Sequence, residues 1–179
     1  PDGQKEHSGE LRNATDLVRL MNSGIPESSS IERIAVAAFP NGHPESSSIE
    51  EDIDTLLAKQ EAGATLAITQ LFFFVEDYIR FVEKAAAAGV SIPVLPGLMP
   101  ITSPTRLARV LELTGEANPR ELESQLASSD HLHEREPIGV RWCADMIREL
   151  VDYGVPGIHL YAFNQHETVL SALEEAGVR

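Results

Sequence analysis

The sequence predicts an α/β protein, a parallel sheet covered by helices. Three observations carry this. Four short runs, at 34–39, 66–72, 92–97 and 157–161, are largely apolar, the pattern of strands buried on both faces. Between them lie longer stretches whose apolar residues recur every three or four positions, the helical period. Strand and helix patterns alternate along the chain, the order that places strands side by side in parallel. The 179 residues fit one domain and leave no room for two full ones.

Each element has its own signal. The opening to residue 9 reads as loop. Residues 10–22 read as a helix with Leu11, Val18 and Met21 on one face and Leu17 beside it, stopped by Gly24, Ile25 and Pro26. The segment PESSSIE occurs twice, at 26–32 and 44–50. One pair falls short of a repeat array, and both copies read as turns or helix starts. The first strand, 34–39, ends at Pro40, Asn41 and Gly42. Ser48 with Glu51 has the spacing of a capping box, and Ile49, Ile53, Leu56 and Leu57 form the face of the helix that Gly63 ends. After the second strand, Val75, Tyr78, Ile79 and Val82 make a stripe that Gly89 terminates. The third strand is short and cut by prolines. Pro104 suits the first turn of a helix carrying Leu107, Val110 and Leu111. Pro119 starts another, with Leu122 and Leu126. A longer helix at 135–152 presents Ile138, Trp142, Ile147 and Leu150. After the fourth strand, Asn164 and Glu167 are spaced as a cap and its return partner, ahead of Val169, Leu170 and Leu173. An open sheet of the flavodoxin type and part of an eight-stranded barrel both fit this pattern. The flavodoxin type would need a phosphate loop after its first strand, and there is none; GxGxxG and GxxxxGK[ST] are absent too.

Composition narrows the partners. Lys and Arg number 14 against 28 Asp and Glu, a formal charge of −14. That argues against a nucleic-acid backbone or an anionic membrane, since phosphate contacts need cations. No apolar run approaches the ~20 residues that cross a bilayer. The single cysteine, Cys143, forms no internal disulfide and no thiolate metal site, which fits a reducing, cytoplasmic setting. The chain starts without Met or a signal-peptide pattern, as expected of one whose beginning has been removed.

In either arrangement ligands bind beyond the carboxyl ends of strands. The residues there are Phe39, Asn41 and His43; Thr69, Gln70 and Phe72; Pro96, Gly97 and Met99; Tyr161 and Asn164. Amides read the edges of a planar heterocycle and aromatic rings hold its plane. His43 is either a solvent-facing turn residue or a donor to a bound anion or hydroxyl. Gln70, at a strand tip, is either a ligand contact or a satisfied structural amide. Asp52 and Lys59, two turns apart on one helix, are either a solvated pair or a grip on a ribose and a phosphate. His131 and His133 with His159 fit a metal site poorly, and Asp130 and Glu134 make 130–134 a charged loop. Glu50, Glu51, Glu174 and Glu175 fall on helices, away from strand tips. No serine sits in a GxSxG context, and Cys143 reads as core packing. No metal is expected.

Four segments resemble one family. AAFPNGHPE at 37–45 matches the pattern A-[YF]-P-x-x-H-P-E. AGA at 62–64 followed by ITQLFF at 68–73, PGLMPI at 96–101 and GIHLYAFN at 157–164 match further motifs in the same order. They are similar to those of 5,10-methylenetetrahydrofolate reductases, and the resemblance covers nearly the whole chain, least over 26–32. It implies a (β/α)₈ TIM barrel of which residues 1–179 are a single partial domain, strands five to eight, with the first-half strands absent. It implies FAD as cofactor, NADH or NADPH as reductant, and reduction of 5,10-methylenetetrahydrofolate to 5-methyltetrahydrofolate for methionine synthesis. It assigns Phe39, His43, Asp52, Thr55, Ala58, Lys59 and Tyr161 to the cofactor, and Gln70, Arg106 and Gln165 to the reduced folate. Four positions depart from the family: Thr55 stands where Asn is common, Ala58 where a basic residue is frequent, Arg106 where bacterial members have Gln, and Gln165 where Arg is usual. The family's catalytic Glu and its Arg-Gly-Asp segment belong to the first half, so no catalytic residue is assigned here and the chain as it stands is expected to be catalytically incomplete. The alternative is a non-catalytic half-barrel that self-associates, as a homo-oligomer, or pairs with a first-half fragment.

Overall fold

The computed structural model describes residues 11–23, 32–129 and 131–178. The expected opening loop, the stop at Gly24–Pro26, Asp130 and the first PESSSIE copy through residue 31 lie outside these residues. The described elements run α1 (Ala14–Asn22), β1 (Ala35–Ala38), α2 (Ile49–Glu61), β2 (Leu66–Leu71), α3 (Val75–Ala88), β3 (Val94–Leu98), α4 (Pro104–Thr114), α5 (Arg120–Ala127), α6 (Leu132–Tyr153), β4 (His159–Leu160) and α7 (His166–Ala176). The four strands form one parallel sheet in the order β1-β2-β3-β4. Neighbours in sequence are neighbours in the sheet. A doubly wound sheet reverses its order at a switch point; this one does not, so the flavodoxin-type alternative is excluded. The topology is consistent with half of an eight-stranded barrel.

Local chemistry explains the ends of the elements. The Asn13 side chain accepts from Asp16 N at 3.0 Å and starts α1. Ser48 caps α2 through Glu51 N at 3.2 Å. The capping box is offset, however: the Glu51 carboxylate turns to the amide and hydroxyl of Ser47, at 2.8 and 2.7 Å. Ser103 caps α4, and Pro104 occupies its first turn as expected. Gly89 closes α3 with φ of 104°, a left-handed backbone that costs glycine little.

The main core lies between the sheet and the outer helices. It joins Val36, Ala38 and Ala67 to Ile53, Leu56, Phe81, Ile147 and Leu150. A second cluster of Leu71, Phe73, Ile101, Leu107, Val110, Leu122 and Leu126 sits where α4 and α5 cross beyond the strand ends. Cys143 belongs to the main core, and burial pushes its thiol up to about 12, which makes it inert at neutral pH.

Several expectations need correction. β1 is not buried on both faces: Val36 and Ala38 are buried, while Ala35 and Ala37 are exposed. The helices cover only the first pair's side of the sheet. On the other side Ala37, Ile68 and Leu95 stand in register, and Ile68 and Leu95 are only partly buried. Leu11 precedes α1 and is exposed, as is Leu17, so Val18 alone anchors that helix in the core. The fourth strand shrinks to His159–Leu160, the two residues that pair with Gly97 and Leu98 of β3. α6 begins at Leu132 and takes in His133 and Glu134, which had read as loop. Glu134 N and Arg135 N both donate to His131 O, at 3.1 and 3.2 Å, and Glu134 in the first turn suits the helix dipole. Asn164 is not a helix cap. Its φ is 65°, whereas a cap needs extended backbone; Gln165 takes that place without a side-chain bond. Leu170, expected in the apolar run of α7, faces outward.

Candidate functional site

A parallel sheet aims all its carboxyl ends one way, so Phe39, Gln70 and Tyr161 share one end of the molecule. They are not gathered into one cavity. A cavity of about 590 Å³ opens between the start of α1, the end of β1 and one side of α2. Phe39, His43, Asp52, Thr55, Ala58 and Lys59 all line it. α1 forms its outer wall, docked on α2 through a 3.4 Å bond from the Asn22 side chain to Ala62 O.

Asp52 and Lys59 are not a solvated pair. Their relative exposures are 7% and 8%. One Asp52 oxygen accepts from His43 N at 2.9 Å, the other from Ser46 Oγ at 2.7 Å. The carboxylate thus sets the shape of the loop that carries His43. The His43 ring meets Phe39 edge to face, centroids 4.7 Å apart. Lys59 Nζ donates to Ala37 O at 3.0 Å. That is its one hydrogen bond among the described residues, so two of its three donors remain for a ligand. Burial lowers its pKa below the usual 10.5, and the Asp52 charge works against that fall. A buried ammonium with donors to spare, beside a cavity with an aromatic wall, suits a ligand that carries phosphate and a planar ring.

On the far side of the His43–Asp52 wall lies a polar cavity of about 370 Å³, which includes Asn41, Ser47 and Glu116. Asn41 Nδ2 donates to Asp77 at 3.0 Å and to Glu116 at 2.6 Å. One amide therefore ties the loop after β1 to the start of α3 and to the segment after α4. Burial raises the Glu116 pKa, with Asp77 adding to the rise and the Asn41 bond opposing it.

The tips of β2, β3 and β4 build a separate mouth. Tyr161 OH donates to Thr69 O at 3.1 Å, and Gly97 N donates to Thr69 Oγ1 at 2.8 Å. A Cβ on Gly97 would come within 2.3 Å of Thr69 O and 2.8 Å of the Tyr161 ring, so only glycine lets the tyrosine cross here. Burial raises the Tyr161 pKa. The Gln70 side-chain oxygen accepts from Leu71 N at 2.9 Å, where the β2–β3 register shifts; its amide nitrogen makes no hydrogen bond among the described residues. Arg106 and Gln165, 59 residues apart, are joined by a bond from Arg106 Nη1 to Gln165 Oε1. Tyr161 stacks on Phe163 at 6.3 Å and meets His159 at 4.5 Å.

His131 and His133 stack on each other, exposed, while His159 lies at the mouth. Among the described residues no three His, Cys, Asp or Glu side chains could hold a metal, and no helix is long and apolar enough to cross a membrane. Sequence reasoning missed Asn13, which caps α1, and Thr15 within that helix, both of which line the larger cavity. The Asn13–Asp16 spacing signals a helix start, but nothing in it places that start beside Phe39.

Comparison with known proteins gives this geometry a context. The profile of the family described as methylenetetrahydrofolate reductase matches residues 1–177. The 5,10-methylenetetrahydrofolate reductase of Escherichia coli K12 is 32% identical over 167 residues, 93% of this chain and 55% of that protein. That of Pectobacterium carotovorum is 34% identical over 147 residues, 82% and 49% respectively. The chain therefore spans about half the length of these bacterial relatives. In structure it is similar to an uncharacterised Clostridium thermocellum protein that binds two copies of 5-methyl-5,6,7,8-tetrahydrofolic acid. The TM-score is 0.60 and the identity 18%, covering 93% of this chain and 58% of the other, a likeness of fold. On the strength of the profile match over nearly its whole length, the chain belongs to the methylenetetrahydrofolate reductase family.

Proposed function

We propose that this chain is the half of a (β/α)₈ barrel that holds FAD and reduced folate, its strands corresponding to the fifth to eighth of the barrel. The reaction is the NADH- or NADPH-driven reduction of 5,10-methylenetetrahydrofolate to 5-methyltetrahydrofolate. The observation that carries the reading is the larger cavity: six positions that the family resemblance assigns to FAD line one space. FAD, when bound, supplies hydride transfer from the nicotinamide to the folate.

The residues of the chain bind and orient. Lys59 directs its spare donors at a phosphate. Asp52 holds the 43–46 loop and keeps an acceptor lone pair near a ribose hydroxyl. Phe39 and His43 form an aromatic corner that limits rotation of a ring. Thr55 and Ala58 line the same cavity; Ala58 adds no charge there, so Lys59 is the phosphate's main cationic partner. Gln70, whose amide nitrogen makes no hydrogen bond among the described residues, offers a donor to the edge of the folate heterocycle, and Tyr161 walls the mouth. Proton supply to the folate comes from an acid outside these residues, a contribution of roughly 10²–10⁴ in rate. Ala35 and Ala37 face the uncovered side of the sheet, and β1 and β4 are its two edges. These features support pairing with further strands, from another segment or a second copy.

Titration of FAD into this chain, followed by flavin fluorescence, tests the reading. Saturable binding that Lys59→Met weakens is expected, with slow NADH-dependent folate reduction. A chain that takes up no FAD overturns the cofactor assignment. Fast turnover by this chain alone overturns the assignment of the acid elsewhere.

A further inference from the structure

The turn between Phe39 and His43 carries a tie that the larger cavity does not use. Gly42 N donates to Phe39 O at 3.2 Å, with φ of 96° at Gly42, so residues 39–42 reverse the chain and put Asn41 near the tip. The rings on either side of the tip, Phe39 and His43, line the larger cavity. Asn41 lines the smaller, polar cavity instead. It fills an unspecified position of the A-[YF]-P-x-x-H-P-E pattern, so the family resemblance gives it no role.

Its partners show what it can do. The side-chain nitrogen has two hydrogens, and it donates to Asp77 Oδ2 at 3.0 Å and to Glu116 Oε2 at 2.6 Å. A reversed amide would set its oxygen against two carboxylates, so the donors must face them. Asp77 has a cation of its own in Arg80. The Glu116 carboxylate, partly buried just beyond α4, has Asn41 as its one donor among the described residues. Burial and the Asp77 charge raise its pKa, and the Asn41 bond lowers it. A bond that favours the charged carboxylate is strengthened in turn by that charge. The tie from the turn to the end of α4 is therefore firm while Glu116 is ionised and slack once it is protonated. The other charged or titratable groups around Glu116 are Asp77 with Arg80 on α3, and His43 and Asp52, which line the same cavity.

We propose that Asn41 is a positioning residue for the flavin, a latch that holds the Phe39–His43 turn in place through Asp77 and Glu116 and that loosens when Glu116 takes up a proton. This rests on the cofactor reading above. β1, α2 and α1 give the cavity its shape; the latch sets how long FAD stays in it.

Release of FAD from the full chain, followed by flavin fluorescence after dilution at a series of pH values below neutrality, tests the latch. The parent chain is expected to release FAD faster as pH falls. Glu116→Gln loses the part of that slope that Glu116 supplies, while any part due to His43 remains in both. Asn41→Leu, close to asparagine in size, is expected to release FAD about 3- to 10-fold faster at neutral pH, the span of one net hydrogen bond, and to lose the same part of the slope. Asn41→Lys, which keeps donors for both carboxylates, restores slow release. A residue that only stabilised the fold would shift melting and leave the pH slope alone. Thermal melting confirms folding; if Asn41→Leu does not fold, Glu116→Ala, which removes the acceptor, is read in its place. If the parent chain binds FAD and Asn41→Leu releases it at the parent's rate, or if Glu116→Gln keeps the parent's slope, the inference falls alone. If the parent chain takes up no FAD, the cofactor reading falls and takes the inference with it.

Discussion

The cavity beside α2 and the mouth at β3 and β4 open at the same end of one sheet, but they are assembled differently. Every residue lining the cavity falls between positions 13 and 59, and its polar groups are fixed by partners a few residues to about two dozen away: His43 to Asp52, Lys59 to Ala37. The mouth draws on positions 69, 97, 106, 161 and 165, joined across 28, 59 and 92 residues. The cavity can keep its shape as long as β1, α2 and α1 stay together. The mouth exists only when three strands hold register.

This difference can be broken most forcefully at Gly97. Gly97→Ala forces a Cβ against the Thr69 carbonyl and the Tyr161 ring. Backbone cannot yield as a flexible side chain does, so stability is expected to fall by about 3 kcal/mol, read by urea denaturation. A loss below about 1 kcal/mol would mean that the mouth relaxes independently of the sheet.

Lys59→Met is the matching test of the cavity. A similar volume stays and the cost of burying the ammonium goes, while Ala37 O loses its donor and buried Asp52 loses a nearby positive charge, so stability is expected to fall by about 1–3 kcal/mol. FAD affinity is expected to drop by about 10- to 100-fold. Equal affinity in the variant would show that the ammonium does not face the phosphates. Asp52→Ala should cost about 1–3 kcal/mol, since it leaves His43 N and Ser46 Oγ without their acceptor. Faster hydrogen exchange at the His43 amide, with the Tyr161 mouth protected as before, would locate the damage.

Two smaller effects come from pH. The Lys59 pKa is depressed in the folded state, so the unfolded chain binds the extra proton in the window between that lowered value and the usual 10.5. Stability therefore rises with pH across the window, and Lys59→Met should lose that rise in alkaline denaturation curves. Glu116 has the opposite sense. Its pKa is raised, so the folded state holds the extra proton between 4.5 and that raised value, and stability drops as pH climbs through the window. Glu116→Gln removes this slope and changes stability at neutral pH by no more than about 0.5 kcal/mol, given the solvent near the group. A larger change would make the Asn41 bridge a stronger tie than its surroundings suggest.

The same contrast sets what could be read from the amino acids alone. Alternating apolar runs and helical stripes showed the parallel sheet and the helix starts at Ser48 and Pro104, because those depend on neighbours a few residues away. Asp52 and Lys59 could be placed on one helix face, but whether that face was buried depended on α1, whose docking through Asn22 no local pattern reveals. Arg106 and Gln165 read as two unrelated departures from the family; only the pairing of β3 with β4 brings them into contact. Asn164 looked like a cap from its spacing to Glu167, until the backbone turned left-handed there. The half-exposed inner face of β1 was invisible for another reason. Alanine and valine in a four-residue strand look alike whether or not anything covers them.

The unbroken strand order has a consequence for how the chain is made. Each strand's sheet partner precedes it in translation, so β2 can add to β1 and β3 to β2 while the ribosome is still at work. The step from β3 to β4 is the long one, because everything between Leu98 and His159 must emerge first. At ~5–20 residues per second the free edge of β3 waits several seconds, which makes α4, α5 and α6 its nearest chaperones during birth.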